Sequence, residues 1–203
     1  MGKILITGGA GYIGSHAVHY FIKKGIKSGN VVVFDNLVYG NRKYLPSSVI
    51  FVKGDLLNNE DVEGLFCKHK IDVVIHFAAY AYVGESIEKP GKYFKNNILG
   101  GINLLEAMRK NDCKKIIFSS TCATYGISKV IPITEKEKQE PINPYGESKL
   151  MFEKILTWYD KIYGIRNVIL RYFNAAGADF EIGENHNPET HLIPLVLYAA
   201  KNK

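Results

Sequence analysis

The sequence predicts an open α/β fold, a doubly wound parallel sheet with helices on both faces, and three observations carry that expectation. Short all-apolar runs alternate with helical periods along the chain, the rhythm of βαβ units joined by right-handed crossovers. Gly8, Gly11 and Gly14 fall between the first run and the first helical period. The second run ends at an acid, Asp35, about 20 residues beyond the last glycine.

The elements follow in order. Ile4-Leu5-Ile6 is an apolar run of the kind buried on both faces of a parallel sheet. Gly8 makes the tight turn after it, Gly11 lets backbone approach a pyrophosphate, and Gly14 lets the next helix pack closely on the strand. That helix carries Val18, Phe21 and Ile22 on its apolar face, and its N-terminus offers unpaired N–H groups to phosphates. Strand, glycine turn and helix together are Rossmann-like. Val31-Val32-Val33-Phe34 forms the second strand. Asp35 after it suits the ribose hydroxyls and repels a 2′-phosphate, and no Arg follows it, since Asn36 comes next. The expected cofactor is NAD rather than NADP.

Val49–Val52 is a third strand, with Asp55 placed after it for an adenine contact. Residues 58–69 read as a helix through Val62, Leu65 and Phe66. Val73–Phe77 is a fourth strand, and Phe77-Ala78-Ala79 leaves small residues beside the glycine turn. A helix over 92–110 carries Phe94, Ile98, Ile102, Leu105 and Met108. Ile116–Ser119 is a fifth strand, a helix over 145–163 carries Leu150, Ile155, Trp158 and Ile162, and Val168–Arg171 is a sixth strand. The long irregular stretch 121–143 follows a strand and precedes a helix. It therefore lies over the carboxyl ends of the strands, where open α/β sheets bind ligands.

Bulk properties remove other classes. The net charge of +6 is spread along the chain, and Lys136-Glu137-Lys138-Gln139-Glu140 mixes both signs, unlike the concentrated basic element of a nucleic-acid binder. No apolar run approaches the ~20 residues of a membrane helix. The chain enters a strand almost at once, so no signal peptide is expected. Met1-Gly2 is followed by Ile6 where a myristoylation signal needs Ser or Thr. Cys67, Cys113 and Cys122 are scattered, as suits a reducing cytoplasm. The histidines His16, His69, His76, His186 and His191 show no ligand spacing, and no metal is expected.

The candidate chemistry lies in Asn143-Pro144-Tyr145-Gly146-Glu147-Ser148-Lys149. Asn143 can cap a helix and Pro144 suits its first position. Tyr145 and Lys149 then share a helix face. An ammonium beside a phenol favours phenolate, below the usual pKa of about 10, so the pair is a candidate general base. Ser119-Ser120-Thr121 closes the fifth strand at the ligand edge, where a hydroxyl can relay a proton between substrate and tyrosine.

These segments identify the chain as similar to the extended short-chain dehydrogenase/reductase family. They are Thr-Gly-Gly-Ala-Gly-Tyr-Ile-Gly-Ser-His (7–16), Asp-Asn-Leu (35–37), His-Phe-Ala-Ala (76–79), Val-Gly-Glu-Ser (83–86), Phe-Ser-Ser-Thr (118–121), Tyr-Gly-Glu-Ser-Lys (145–149), Leu-Arg-Tyr-Phe-Asn-Ala-Ala-Gly-Ala (170–178) and His-Leu-Ile-Pro-Leu-Val (191–196). The last two point to the branch that epimerises UDP-sugars at C4. The resemblance implies interconversion of UDP-galactose and UDP-glucose by transient oxidation at C4 with tightly held NAD. Thr121, Tyr145 and Lys149 would be catalytic. Gly8, Gly11, Tyr12, Ile13, Gly14, Asp35, Asn36, Asp55, Leu56, Phe77, Ala78, Ala79, Asn96, Ser119, Tyr145, Lys149 and Tyr172 would hold the dinucleotide. Thr121, Tyr145, Asn174, His191 and Leu192 would face the nucleotide sugar. A cytoplasmic homodimer pairing through the helices at 92–110 and 145–163 is implied, with no nucleic-acid or membrane partner.

Dehydratases of this type usually place Asp-Glu after the strand-five hydroxyl, whereas Cys122-Ala123 stands here. Epimerases of UDP-N-acetylhexosamines or UDP-pentoses are the nearest alternatives, and an NAD-binding chain without turnover is the alternative of another class. The resemblance divides the chain into an NAD-binding domain, 1–173, and the beginning of a nucleotide-sugar domain, 174–203. Family members run longer, so the substrate domain is expected to be incomplete.

Overall fold

Six apolar runs pair in parallel into one sheet because each is flanked by a crossover long enough to return the chain to the same edge. The strands are β1 (Lys3–Thr7), β2 (Val31–Asp35), β3 (Ile50–Lys53), β4 (Ile71–His76), β5 (Lys115–Thr121) and β6 (Arg166–Tyr172), in the order β3-β2-β1-β4-β5-β6. The structure is a computed structural model that describes residues 2–184, 186, 189 and 191–201. The helices are α1 (Tyr12–Lys23), α2 (Asn59–Lys68), α3 (Val83–Glu88), α4 (Pro90–Phe94), α5 (Gly100–Lys110), α6 (Pro144–Tyr163) and α7 (Leu192–Lys201). Strand order reverses between β1 and β4, which opens a crevice at their carboxyl ends.

The alternation of side chains along each strand splits the core in two. Leu5, Val32, Phe34, Val74, Ile116 and Phe118 pack on Leu65 of α2, Leu104 and Met108 of α5, and Phe152 and Leu156 of α6. Ile6, Val31, Val33 and Ile75 face the other way, against Val18 of α1 with Phe21 and Ile22 beside it. The sheet is therefore covered on both faces, but unequally. On β6, Val168 and Leu170 are left exposed.

Three expectations need correcting. The third strand begins at Ile50 rather than Val49, although Val49 is buried just before it. The helix expected over 92–110 is α4, a π-helical turn at Lys95–Leu99, and α5. The wider turn accompanies a buried Asn97, whose side chain bonds Tyr80 and Ser148, and such turns gather at functional sites. In α6 the apolar stripe expected through Trp158 and Ile162 faces solvent, while Leu150, Phe152 and Leu156 reach the core. The short α3 and α7 were not expected as separate elements.

Candidate active site

The site is built from the strand ends upward. Gly8 has φ +69°, and a Cβ there would stand 2.5 Å from the Ala78 nitrogen, so the turn needs glycine on two counts. A Cβ on Gly14 would meet the Gly8 carbonyl at 2.3 Å, which is the close helix–strand contact expected of the third glycine. Gly11 caps α1 without a side-chain hydrogen bond, so the first amides of the helix keep their donors for a ligand.

Asp35 ends β2 and is buried. Its Oδ2 accepts from the Ala10 amide at 3.0 Å and its Oδ1 from the Leu37 amide at 2.8 Å. Burial raises the carboxyl above its usual range and the two amides pull it back. Each oxygen keeps acceptor capacity for a hydroxyl. Asn36 donates to Asp55 Oδ2 at 3.0 Å, and Asp55 Oδ1 accepts from Leu57 at 2.8 Å, which ties the loops after β2 and β3 together. Phe77 and Ala78 both donate backbone N–H to the Thr7 carbonyl, holding the end of β4 against the glycine turn.

Tyr145 opens α6. Asn143 Oδ1 accepts from the Gly146 amide at 2.8 Å and Pro144 occupies the first turn, as expected. A Cβ on Gly146 would stand 2.6 Å from the Ala123 carbonyl, so only glycine lets α6 start against the turn after β5. Thr121 and Tyr145 line the same wall of the cavity, close enough for the hydroxyl to influence the phenol. Burial pushes the Tyr145 phenol up, and the Thr121 hydrogen bond pulls it down.

The expected pairing of Lys149 with the phenol is not what the geometry shows. Lys149 is buried, donates to the Ser119 carbonyl at 2.7 Å and lies 4.8 Å over the Phe118 ring. Burial brings it down to about 7, with Glu153 opposing. The i, i+4 spacing set the shared face correctly, but a buried ammonium takes the nearest inward acceptor.

Glu153, one turn further along α6, is the main residue that sequence reasoning missed. It is buried, accepts from Ser120 Oγ, from Gln139 Nε2 at 3.0 Å and from Arg171 Nη2 at 2.8 Å. Arg171 also donates to Tyr125 Oη at 2.8 Å. One carboxylate thus joins β5, β6, α6 and the 126–143 loop. Asn97 was likewise missed, although its neighbour Asn96 was singled out. A second signal was available, since a Glu at 153 repeats the inward face of Lys149.

All the residues singled out from the sequence line one cavity of about 790 Å³, from Gly8, Asp35 and Asp55 at one end, past Asn96, Ser119, Thr121, Tyr145 and Lys149, to Tyr172, Asn174, His191 and Leu192. Tyr39, Tyr80 and Tyr82 also line it and were not expected. Beyond β6, Tyr12 Oη donates to the Gly177 carbonyl at 2.6 Å, bringing the chain around Gly177 over the glycine turn. The histidines at 186 and 191 do cluster, with Glu184 and Glu189, contrary to the reading of their spacing. Linear spacing could not show that.

A family model described as the NAD dependent epimerase/dehydratase family matches residues 4–203. The UDP-glucose 4-epimerase of Streptococcus mutans is 54% identical over 201 residues, 98% of this chain and 60% of that protein. The solved UDP-glucose 4-epimerase of Brucella ovis in complex with NAD superposes with a TM-score of 0.94 at 47% identity, over 100% of this chain and 62% of that one. The UDP-Glc/GlcNAc 4-epimerase of Campylobacter jejuni gives 0.82 at 40% identity, over 89% of this chain and 56% of that one. The chain thus spans about 60% of the length of the relatives it matches.

Proposed function

The chain belongs to the NAD dependent epimerase/dehydratase family, and we propose that the protein it represents is a UDP-glucose 4-epimerase that interconverts UDP-galactose and UDP-glucose with bound NAD. The observation that carries this reading is the convergence of Thr121, Tyr145, Lys149 and Asp35 on one cavity with the glycine turn. Likeness to epimerases over nearly the whole chain supports it.

The residues fit a dinucleotide. The uncapped amides of α1 and the Gly8 turn would receive the pyrophosphate, Asp35 would take the adenosine ribose hydroxyls, and Asp55 and Leu56 would hold the adenine. Phe77, Ala78 and Ala79, with Asn96, Ser119 and Tyr172, would hold the rest of the dinucleotide along the cavity. NAD when bound supplies a reversible hydride acceptor at the sugar C4. Tyr145 Oη takes the C4 hydroxyl proton, and Thr121 bridges that oxygen and the phenol. Lys149, now on the Ser119 carbonyl, would hold the ribose of the bound dinucleotide and, as a cation, would favour the phenolate. Because the hydride acceptor would be regenerated, the reaction would carry no net redox change. Asn174, His191 and Leu192 begin the nucleotide-sugar side.

Among the described residues no helix is long and apolar enough to cross a membrane. A cytoplasmic homodimer is part of the same proposal, and exposed Leu99, Met151, Trp158 and Ile162 on the two implied pairing helices support it. The test is proton NMR of UDP-galactose incubated with the full-length protein and NAD. Anomeric signals of UDP-glucose are expected. Tyr145→Phe should remove conversion, by ~1000-fold or more, while NAD binding is retained, and undiminished turnover in that variant removes the tyrosine from the mechanism. UDP-N-acetylgalactosamine run in parallel sets the sugar range, which the Campylobacter relative makes the relevant comparison.

A further inference from the structure

Among the described residues, buried side-chain atoms without a hydrogen-bond partner are His16 Nε2, Tyr82 Oη and His186 Nδ1. Two of these meet at one place. The Tyr82 and His186 rings lie edge to face at 5.7 Å, and the His191 ring is 4.8 Å from His186. Around them Glu184, His186, Glu189 and His191 each direct one donor atom inward, and these atoms all lie within 4.8 Å of one another.

Three of the donor separations approach those within a coordination sphere, while the whole set spans up to 4.8 Å, so an ion would draw the four donors together. His186 Nδ1 is 3.5 Å and His191 Nδ1 is 3.1 Å from Glu184 Oε1, and His191 Nδ1 is 2.8 Å from Glu189 Oε1. Four donors held tetrahedrally on zinc at its usual bond lengths stand about 3.3 Å apart. Two carboxylates and two imidazoles are a donor set for a borderline divalent cation, since imidazole argues against magnesium or calcium and the absence of thiolate against softer ions. Hydrogen bonding alone accounts for only part of the cluster. Glu189 Oε1 meets both the His191 amide and His191 Nδ1 at 2.8 Å, and Glu189 Oε2 accepts from the His186 amide, which anchors that carboxylate, but His186 Nδ1 has no hydrogen-bond partner.

We propose that Glu184, His186, Glu189 and His191 form a binding site for a divalent transition-metal cation of the zinc class on the wall of the nucleotide cavity. Glu184, His186 and His191 line that cavity. The site goes beyond the epimerase reading and does not depend on it, because cation binding is read without turnover.

The test is a cobalt titration of the untagged protein, followed by the visible bands of four-coordinate Co²⁺, with displacement by zinc. One equivalent is expected to bind. Glu184→Gln and His186→Ala should each weaken binding by about 100-fold, and His16→Ala, a histidine outside the cluster, should leave it unchanged. Circular dichroism of each variant verifies folding, and a zinc-dependent rise in the melting temperature of the unaltered protein gives a readout that needs no variant. Absence of both the bands and the melting shift overturns the proposal, as does full-strength binding in the folded Glu184→Gln and His186→Ala variants.

Discussion

At the scale of the residue, the site depends on positions where one atom decides the outcome. Gly8 combines a positive φ with backbone at 2.5 Å from any Cβ, and neither obstacle is a side chain that could move aside. Gly8→Ala should therefore cost more than about 2 kcal/mol in urea unfolding and remove NAD binding. His76 is a second such position. It is buried beneath the cavity, bonded to Thr7 Oγ1 at 2.7 Å and stacked on Phe118, and burial holds it down to about 3. The folded protein keeps it neutral while the unfolded chain takes a proton below about 6.5. Stability is thus fully present above that value and is lost as pH falls toward the folded value, by up to ~1.4 kcal/mol per pH unit. His76→Asn removes this titration, so its unfolding free energy should vary less steeply with pH across that window than the unaltered protein's.

At the scale of the element, α6 does most to assemble the site. Its cap and first turn were legible because Asn-Pro signals a helix start by local chemistry alone. Its inward partners were not, because they come from β5, β6 and a distant loop. The Glu153–Arg171 pair, 2.8 Å apart with Glu153 only 4% exposed, is the clearest case. Arg171→Met leaves that carboxylate buried and short of a cation, and should cost ~3–5 kcal/mol. Adding Glu153→Leu should recover much of the loss, since a matched apolar pair carries no buried charge. Urea unfolding of the two single variants and the double variant measures both terms, and equal losses in Arg171→Met and the double variant would contradict this account. The π-helical turn at Lys95–Leu99 belongs to the same scale. Hydrophobic period ran straight through it, because the turn answers to Asn97 reaching Tyr80 and Ser148 rather than to local propensity.

At the scale of the whole molecule, the cavity draws on both halves of the sheet, with Asp35 and Asp55 on one side of the strand reversal and Thr121 and Tyr172 on the other. A ligand that spans them stabilises the fold as a unit. At a concentration ~100-fold above its dissociation constant, NAD should add ~2.7 kcal/mol, a rise of roughly 5–10 °C in a thermal melt. NADP at the same concentration should give a smaller rise, because Asp35 meets its 2′-phosphate with like charge. Equal shifts for the two dinucleotides would remove the discriminating role of Asp35.

The sequence by itself determined the sheet, the glycine turn, the acid after β2 and the Tyr145–Lys149 helix face. Each rests on a spacing of a few residues, and a strand or helix period converts such spacing into direction without reference to the rest of the chain. Tertiary structure alone decided where Lys149 donates, that Glu153 and Asn97 join distant elements, that Trp158 and Ile162 face outward, and that Glu184, His186, Glu189 and His191 meet. Those outcomes depend on which buried polar group finds which partner, and a partner far along the chain leaves no periodic trace in the sequence.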